Sequence, residues 1–419
     1  MSKIRLAIAG AGGRGFVYAN YAKMHPELVE VVAVAEPSEY RRKKMADEFS
    51  ISPQNVFLDW KEFASKPKLA DAVIIATQDS MHVEPCVAFA NKGYAILLEK
   101  PMATTEEHCK IIADVIKSNN VLFAVCHVMR YTDYTQKIKS IIRSGVIGDI
   151  ISVQHLEQVG FAHQAHSFVR GSWRNQNECV FMLMAKSCHD LDWLQYIVDS
   201  PIQKVSSFGN LKHFRKENKP SGSTDRCLDC LCEKTCPYSA LKIYLEPAQQ
   251  DNYDWQVRAI INEHTVVNVI AALRNGPFGR CVYACDNDVV DHQVVAMEFT
   301  NGSTANFTMT AFCEQTDRIT RIFGTHGQLT GDGNRILHYN FLTRKTECIE
   351  VGFSDGGIDT GHGGGDTAIM RSFVDALIRK DQKLILSGID ETLNSHLAVF
   401  AAEKARIEGT VINLSIPLN

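Results

Sequence analysis

The stretch KIRLAIAGAGGRGFVYANY, Lys3 to Tyr21, decides how the rest of the chain is read. An apolar run leads into Gly10, Gly12, Gly13 and Gly15, and an amphipathic segment follows. That order predicts strand, glycine turn and helix, the context in which G-x-G-x-x-G marks a dinucleotide site. One glycine permits the tight turn, one lets the backbone approach a pyrophosphate, and one lets the helix pack on the strand. Free N–H groups at the helix start face the anion, and Arg14 is placed to add positive charge. A second strand ends at Glu36, about 20 residues past the last glycine, where a carboxylate accepts hydrogen bonds from ribose hydroxyls. Glu36 favours NAD because it repels a 2′-phosphate, while Arg41 and Arg42 keep NADP as the alternative.

The segment from Leu69 to Thr105 continues the pattern with two buried-type strands. The first runs into a turn from Thr77 to His82, and the second ends at Glu99-Lys100-Pro101. Open α/β sheets hold ligands at the carboxyl ends of their strands. Thr77, His82 and Glu99 are therefore expected beside the cofactor, and Lys100 beside both cofactor and substrate. The other half differs in style. The stretch VVAMEFTNGSTANFTMTAF, Val294 to Phe312, alternates about Asn301-Gly302, a strong hairpin signal, and Gln328 to Phe353 continues alike. These segments predict antiparallel strands, and Gly388 to Gly409 predicts a closing helix.

Composition narrows the class. The chain has 419 residues, 45% of them hydrophobic and 22% charged, with a formal net charge of −4. That length predicts two domains, and the balance gives no nucleic-acid surface. No apolar run approaches the roughly 20 residues that span a bilayer, and the start suits a first strand better than a signal peptide. A cytoplasmic location is expected.

In the segment FMLMAKSCHDLDWLQYIV, Phe181 to Val198, a helix would place Lys186, His189 and Asp190 on one face. Histidine suits proton transfer near neutrality. A neutral imidazole can accept the proton of an alcohol as its hydride leaves, and Lys100 or Lys186 can stabilise the resulting oxygen charge. The run GFAHQAHSFVRGSWRNQNE, Gly160 to Glu178, collects His163, His166, Arg170, Trp173 and Arg174. Such donors and aromatics suit a polyhydroxylated ligand or a polar surface loop. A glycine-rich loop before Asp366 is expected to close over cofactor or substrate.

The glycine fingerprint, EKP at Glu99 to Pro101, MRYTDYTQKIKSIIRSGVIGDI at Met129 to Ile150 and SCHDLDWL at Ser187 to Leu194 together resemble the Gfo/Idh/MocA oxidoreductases. The resemblance implies a Rossmann domain over about 1–128. It further implies an α/β domain over 129–419 with a large, mostly antiparallel sheet, carbohydrate held between the two, and Lys100 in contact with it. Arg130 and Tyr131 are carried into the substrate set on the same ground. It also implies a homodimer or homotetramer formed through that sheet. One departure is clear: members commonly carry aspartate four residues before the histidine, and here that position is Ala185.

The 13 cysteines include a cluster in GSTDRCLDCLCEKTCPYSALKIY, Gly222 to Tyr244. In a reducing compartment such a cluster points first to metal. Cys227 and Cys230 form a C-x2-C knuckle and Cys236 supplies a third thiolate; Cys232 is nearest for a fourth but awkwardly spaced, and Cys281 or Cys285 can come in from a neighbouring strand, with Cys281 favoured. A structural zinc holding an insert at about 213–245 is expected, with an iron–sulfur cluster or unrelated thiols as alternatives. The insert is expected to be a surface loop lacking a core of its own. The function expected from all of this is NAD-dependent oxidation of a secondary hydroxyl of a sugar, glycoside or cyclitol. The alternatives are a glycosidase that oxidises its substrate transiently and a non-catalytic sensor.

Overall fold

A computed structural model of the chain describes residues 3–315, 317–352 and 363–414. Its first sheet contains β1 (Ile4–Ala9), β2 (Val29–Ala35), β3 (Val56–Phe57), β4 (Ala72–Ile75), β5 (Ala95–Leu98) and β6 (Phe123–Val125). The order is β3-β2-β1-β4-β5-β6, and every pair is parallel. Successive side chains of β1 enter opposite cores. Leu6 and Ile8 join a cluster with Tyr18, Met370 and Phe373, whereas Ala7 and Ala9 join one with Phe63, Phe89 and Ile112. A strand covered on both sides needs apolar residues at every covered position, and that accounts for the unbroken hydrophobic run from Leu6 to Ala9. One of those covers is the helix Gly365–Arg379, which returns from far along the chain.

The order reverses between β1 and β4, and two glycines make that point possible. Gly10 has φ +96°, and a Cβ there would lie 2.4 Å from the Ala76 carbonyl oxygen. A Cβ at Gly15 would lie 2.0 Å from the carbonyl oxygen of Gly10, so the helix Gly13–Ala19 can sit on the turn only without it.

The second sheet has nine strands. They are β7 (Ile150–Gln158), β8 (Ile202–Asn210), β9 (His292–Phe299), β10 (Thr304–Thr310), β11 (Ile319–Gly324), β12 (Gly327–Gly331), β13 (Arg335–Asn340), β14 (Lys345–Glu350) and β15 (Ile412–Asn413). Their order is β14-β13-β12-β11-β7-β10-β9-β8-β15, antiparallel except where β10 meets β7. The hairpin expected at Asn301-Gly302 joins β9 to β10, with Gly302 at φ +86°. One face packs Val153, Val295, Met297 and Phe307 against Leu191, Leu194, Val399 and Ala402 of the helices Cys188–Val198 and Ile389–Glu408. On the other face, Phe208, Val294, Thr308, Leu156 and Ile319 lie opposite one another across four strand pairs.

The cysteine-rich excursion is larger than the sequence suggests and is not coreless. Between β8 and β9, Phe214, Tyr238, Tyr244, Val257, Leu273 and Val282 pack with Ala165 and Val169 in a fourth apolar cluster. The apolar residues past position 245, on the helices Trp255–Ile260 and Val266–Asn275, complete it. Among the described residues, no helix is long and apolar enough to cross a membrane.

Gly15→Ala should lower the unfolding free energy by about 1–3 kcal/mol through overpacking. Gly12→Ala, whose Cβ would meet nothing within 4 Å, should leave it unchanged. Denaturant titration of the two variants checks this.

Candidate active site

The glycine turn and Glu36 face each other at the carboxyl end of the first sheet. Glu36 accepts hydrogen bonds from the Ala11 amide at 2.8 Å and the Ser38 amide at 2.9 Å, and its residue is 7% exposed. The open space over Gly12 and Gly13 fits a pyrophosphate, and the acceptor at Glu36 fits a ribose diol. Arg41 is exposed on the following helix, and Arg42 donates to the Glu36 carbonyl at 2.6 Å. Arg14 is not a spare cation for phosphate. Its guanidinium pairs with Glu99 at 2.5 Å and with Asp366, and contacts Tyr18. Burial alone would raise the Glu99 pKa, but Arg14 and Lys100 outweigh it and hold the carboxyl below its ordinary value.

His82 is fully buried, and its ring nitrogens meet the carbonyls of Pro101 at 2.8 Å and Thr77 at 3.4 Å. It ties the turn after β4 to the residues after β5, so its role is positioning. The same turn holds a residue that the sequence did not single out, Asp79. Its carboxylate accepts from Trp173 Nε1 at 3.0 Å and from the Cys179 thiol at 3.3 Å, joining the two domains at the crevice.

Lys100 follows β5 and crosses that seam, donating from Nζ to the Ala185 carbonyl at 2.7 Å. The helix expected through Lys186 and His189 is broken there: Met182–Ala185 ends, Ser187 has ψ 8°, and Cys188–Val198 begins. Lys186 and Asp190 nonetheless end in one ion network, joined through Glu157 and Arg318. Lys186 Nζ pairs with Glu157 on β7 at 3.1 Å, and Glu157 pairs with Arg318 at 2.8 Å. Asp190 is fully buried between His155 at 3.1 Å and Arg318 at 2.8 Å. Burial would raise its pKa, yet Arg318 and His155 hold it well below the carboxylate range. His189 is 6% exposed, its ring 5.7 Å from that of His127. His163 stands near both ammonium groups. Burial pushes its pKa well below the ordinary value, and Lys186, His166 and Lys100 add to the effect, so it is a neutral imidazole.

Several expected substrate residues have structural partners instead. Arg130 makes a two-pronged pair with Asp192 at 2.7 and 2.7 Å and is 3% exposed. Tyr131 Oη accepts from the Leu386 and Ser387 amides at 2.9 and 3.1 Å. Arg174 binds Asp286 twice, at 2.9 and 2.9 Å. Asp366 is buried against Arg14. His166 bonds the Tyr244 hydroxyl at 2.9 Å and lies against Trp255 and Phe278. Arg170 is fully buried and faces the cysteines.

All 13 cysteines are free. Cys227, Cys230, Cys232, Cys236 and Cys281 line one cavity of about 20 Å³ together with Arg170. Among the described residues, however, no group of three or more His, Cys, Asp or Glu is set to hold a metal ion. A ready-made zinc cage is therefore not present, because the thiols share a cavity without converging on one point.

The family model described as an oxidoreductase family with an NAD-binding Rossmann fold matches residues 4–127, and its C-terminal alpha/beta domain model matches 139–414. The chain is 27% identical over 211 residues to the 2,7-anhydro-N-acetylneuraminate hydratase of Escherichia coli, covering 50% of this chain and 54% of that protein. It is 27% identical over 209 residues to the scyllo-inositol 2-dehydrogenase (NAD(+)) of Bacillus subtilis, covering 50% and 58%. The chain thus spans about half the length of these curated relatives. A levoglucosan dehydrogenase in complex with NADH and L-sorbose superposes with a TM-score of 0.73 at 17% identity, over 99% of this chain and 100% of the other.

The buried histidines predict an acid-sensitive fold. Burial lowers His127 to about 4, His166 to about 4 and His396 to about 3. In the unfolded chain they take up protons from about pH 6.5 downward. Their contribution is thus complete above that pH and is lost as pH falls towards their folded values. Thermal melts should show stability declining by on the order of a few kcal/mol between pH 7 and 5, before the carboxylates titrate.

Proposed function

The chain belongs to the Gfo/Idh/MocA oxidoreductase family, and on that premise we propose that it oxidises a secondary hydroxyl of a sugar, glycoside or cyclitol with NAD. The observation carrying this reading is the reach of Lys100 across the domain seam to Ala185, beside Lys186 and four residues before His189. Gly10, Gly12, Gly13, Gly15, Glu36 and Thr77 are assigned to cofactor binding. Bound NAD supplies the hydride acceptor. His189 takes the carbinol proton, and Lys100 stabilises charge on the oxygen. Lys186 assists, oriented by Glu157, whose carboxylate stands in for the one missing at Ala185. His163 and Trp173 supply hydrogen bonds and a stacking surface for the ring. The names of the inositol and levoglucosan relatives support the substrate class.

A second reading, transient oxidation followed by elimination, water addition and reduction, is favoured by the anhydroneuraminate hydratase relatives. Stoichiometric NADH supports the dehydrogenase, and turnover without NADH supports the second reading. We further propose that copies pair through the outer sheet face, where Phe208 is 68% exposed and Val294 42%.

Lys100→Ala and His189→Ala should each lower kcat by about 100- to 10,000-fold while NAD affinity stays nearly constant. Steady-state kinetics with calorimetric NAD binding checks this, and unchanged turnover in both variants refutes the assignment.

A further inference from the structure

The cysteine cavity contains a cation whose charge nothing described there neutralises. Arg170 Nε and Nη2 donate to the carbonyls of Arg280 and Tyr238 at 2.8 and 2.7 Å. Nη2 also points at Cys227 Sγ at 3.6 Å, while the buried Nη1 has no hydrogen-bond partner. Carbonyls satisfy N–H donors without cancelling a full charge. An arginine cannot shed its proton, and an unpaired buried ion carries a penalty of several kcal/mol. Among the described residues, Glu233 is the one acid lining the cavity, and it accepts instead from Ser239 Oγ at 3.1 Å. The sulfurs lining the cavity can supply negative charge once a bound metal ion ionises them.

The backbone already brings four of them round that space. The Cys281 backbone amide donates to the Asp225 carbonyl at 2.9 Å, and Arg226 bridges Arg280, which sets Cys281 beside Cys227. The Cys230 amide turns back to the Cys227 carbonyl at 3.3 Å, and Cys236 follows the short turn Glu233–Thr235. Cys232 is directed elsewhere, its thiol donating to the Ser221 carbonyl at 3.4 Å. A volume of about 20 Å³ suits one small occupant.

We propose that Cys227, Cys230, Cys236 and Cys281 bind one zinc ion as a tetrathiolate, and that Arg170 is its buried counter-cation. Four thiolates and Zn²⁺ carry a net charge of −2, and a guanidinium N–H donating to a bound sulfur partly offsets it. Closing the cage requires the thiols to turn inward about χ1. Arg170 also ends the helical segment Gln164–Arg170, which carries His166, so the metal fixes that segment to the insert.

The test uses full-length protein expressed with zinc and, separately, with Co²⁺. Elemental analysis should find about one zinc per chain, and the cobalt form should show thiolate-to-cobalt charge-transfer bands. Cys281→Ser should lose the ion, whereas Cys232→Ser and Cys285→Ser keep it. Arg170→Met should weaken zinc binding at least tenfold in chelator competition, with Arg170→Lys in between. Wild-type protein without zinc and without cobalt–thiolate bands overturns the proposal even if the variants fold poorly. Iron with broad visible absorption, loss of zinc in Cys232→Ser with retention in Cys281→Ser, or unchanged affinity in Arg170→Met overturns it as well.

Discussion

In the proposed reaction, one ammonium group at the seam between two sheets sets the chemistry. Lys100 leaves the carboxyl end of β5 and is held by the Ala185 carbonyl at 2.7 Å. A lysine on a surface loop would be hydrated and mobile; this one is fixed by a backbone acceptor belonging to the other domain. The rest of the crevice is organised around it. His82 fastens the neighbouring turn to Pro101, Asp79 fastens the Trp173 loop, and Glu157 draws in a second ammonium. The imidazole of His163 stays neutral because burial and those same cations oppose its protonation. In the proposed reaction, two ammonium groups beside a neutral imidazole favour negative charge developing on a bound oxygen.

Behind the crevice, buried ion pairs hold the frame. The Arg130–Asp192 and Arg318–Asp190 pairs link elements far apart in sequence. Removing one partner of such a pair leaves the other charged in a low-dielectric interior, so these pairs make the relative placement of the elements specific. The insert is different. It builds its own apolar cluster around Tyr238 and Tyr244, and Trp255 packs against His166.

The first sheet was legible in the sequence because β1 is apolar without a break from Leu6 to Ala9 and because Gly10 and Gly15 sit where a side chain would collide with backbone. The hairpin at Asn301-Gly302 was legible for the same kind of local reason. Lys100 could be picked out since strand ends are where such sheets hold ligands. Arg130, Arg170 and Arg174 were misread because a cation in a polar run does not disclose whether a carboxylate faces it from another element. Asp192, the cysteine cavity and Asp286 each lie far away along the chain. Glu157 and Arg318 left no sequence signal, since they meet only when β7 pairs with β11. The break in the helix at Ser187 was not legible, because no proline or glycine stands beside that residue to announce one.

The central claim is that Lys100 and His189 converge on one carbinol oxygen beside the nicotinamide. A crystal structure with NAD and a bound polyol tests it most directly. The account predicts both side chains within hydrogen-bond reach of the same hydroxyl, with the carbinol carbon against the nicotinamide ring. A ring lying elsewhere, or a hydroxyl out of reach of both side chains, would contradict it.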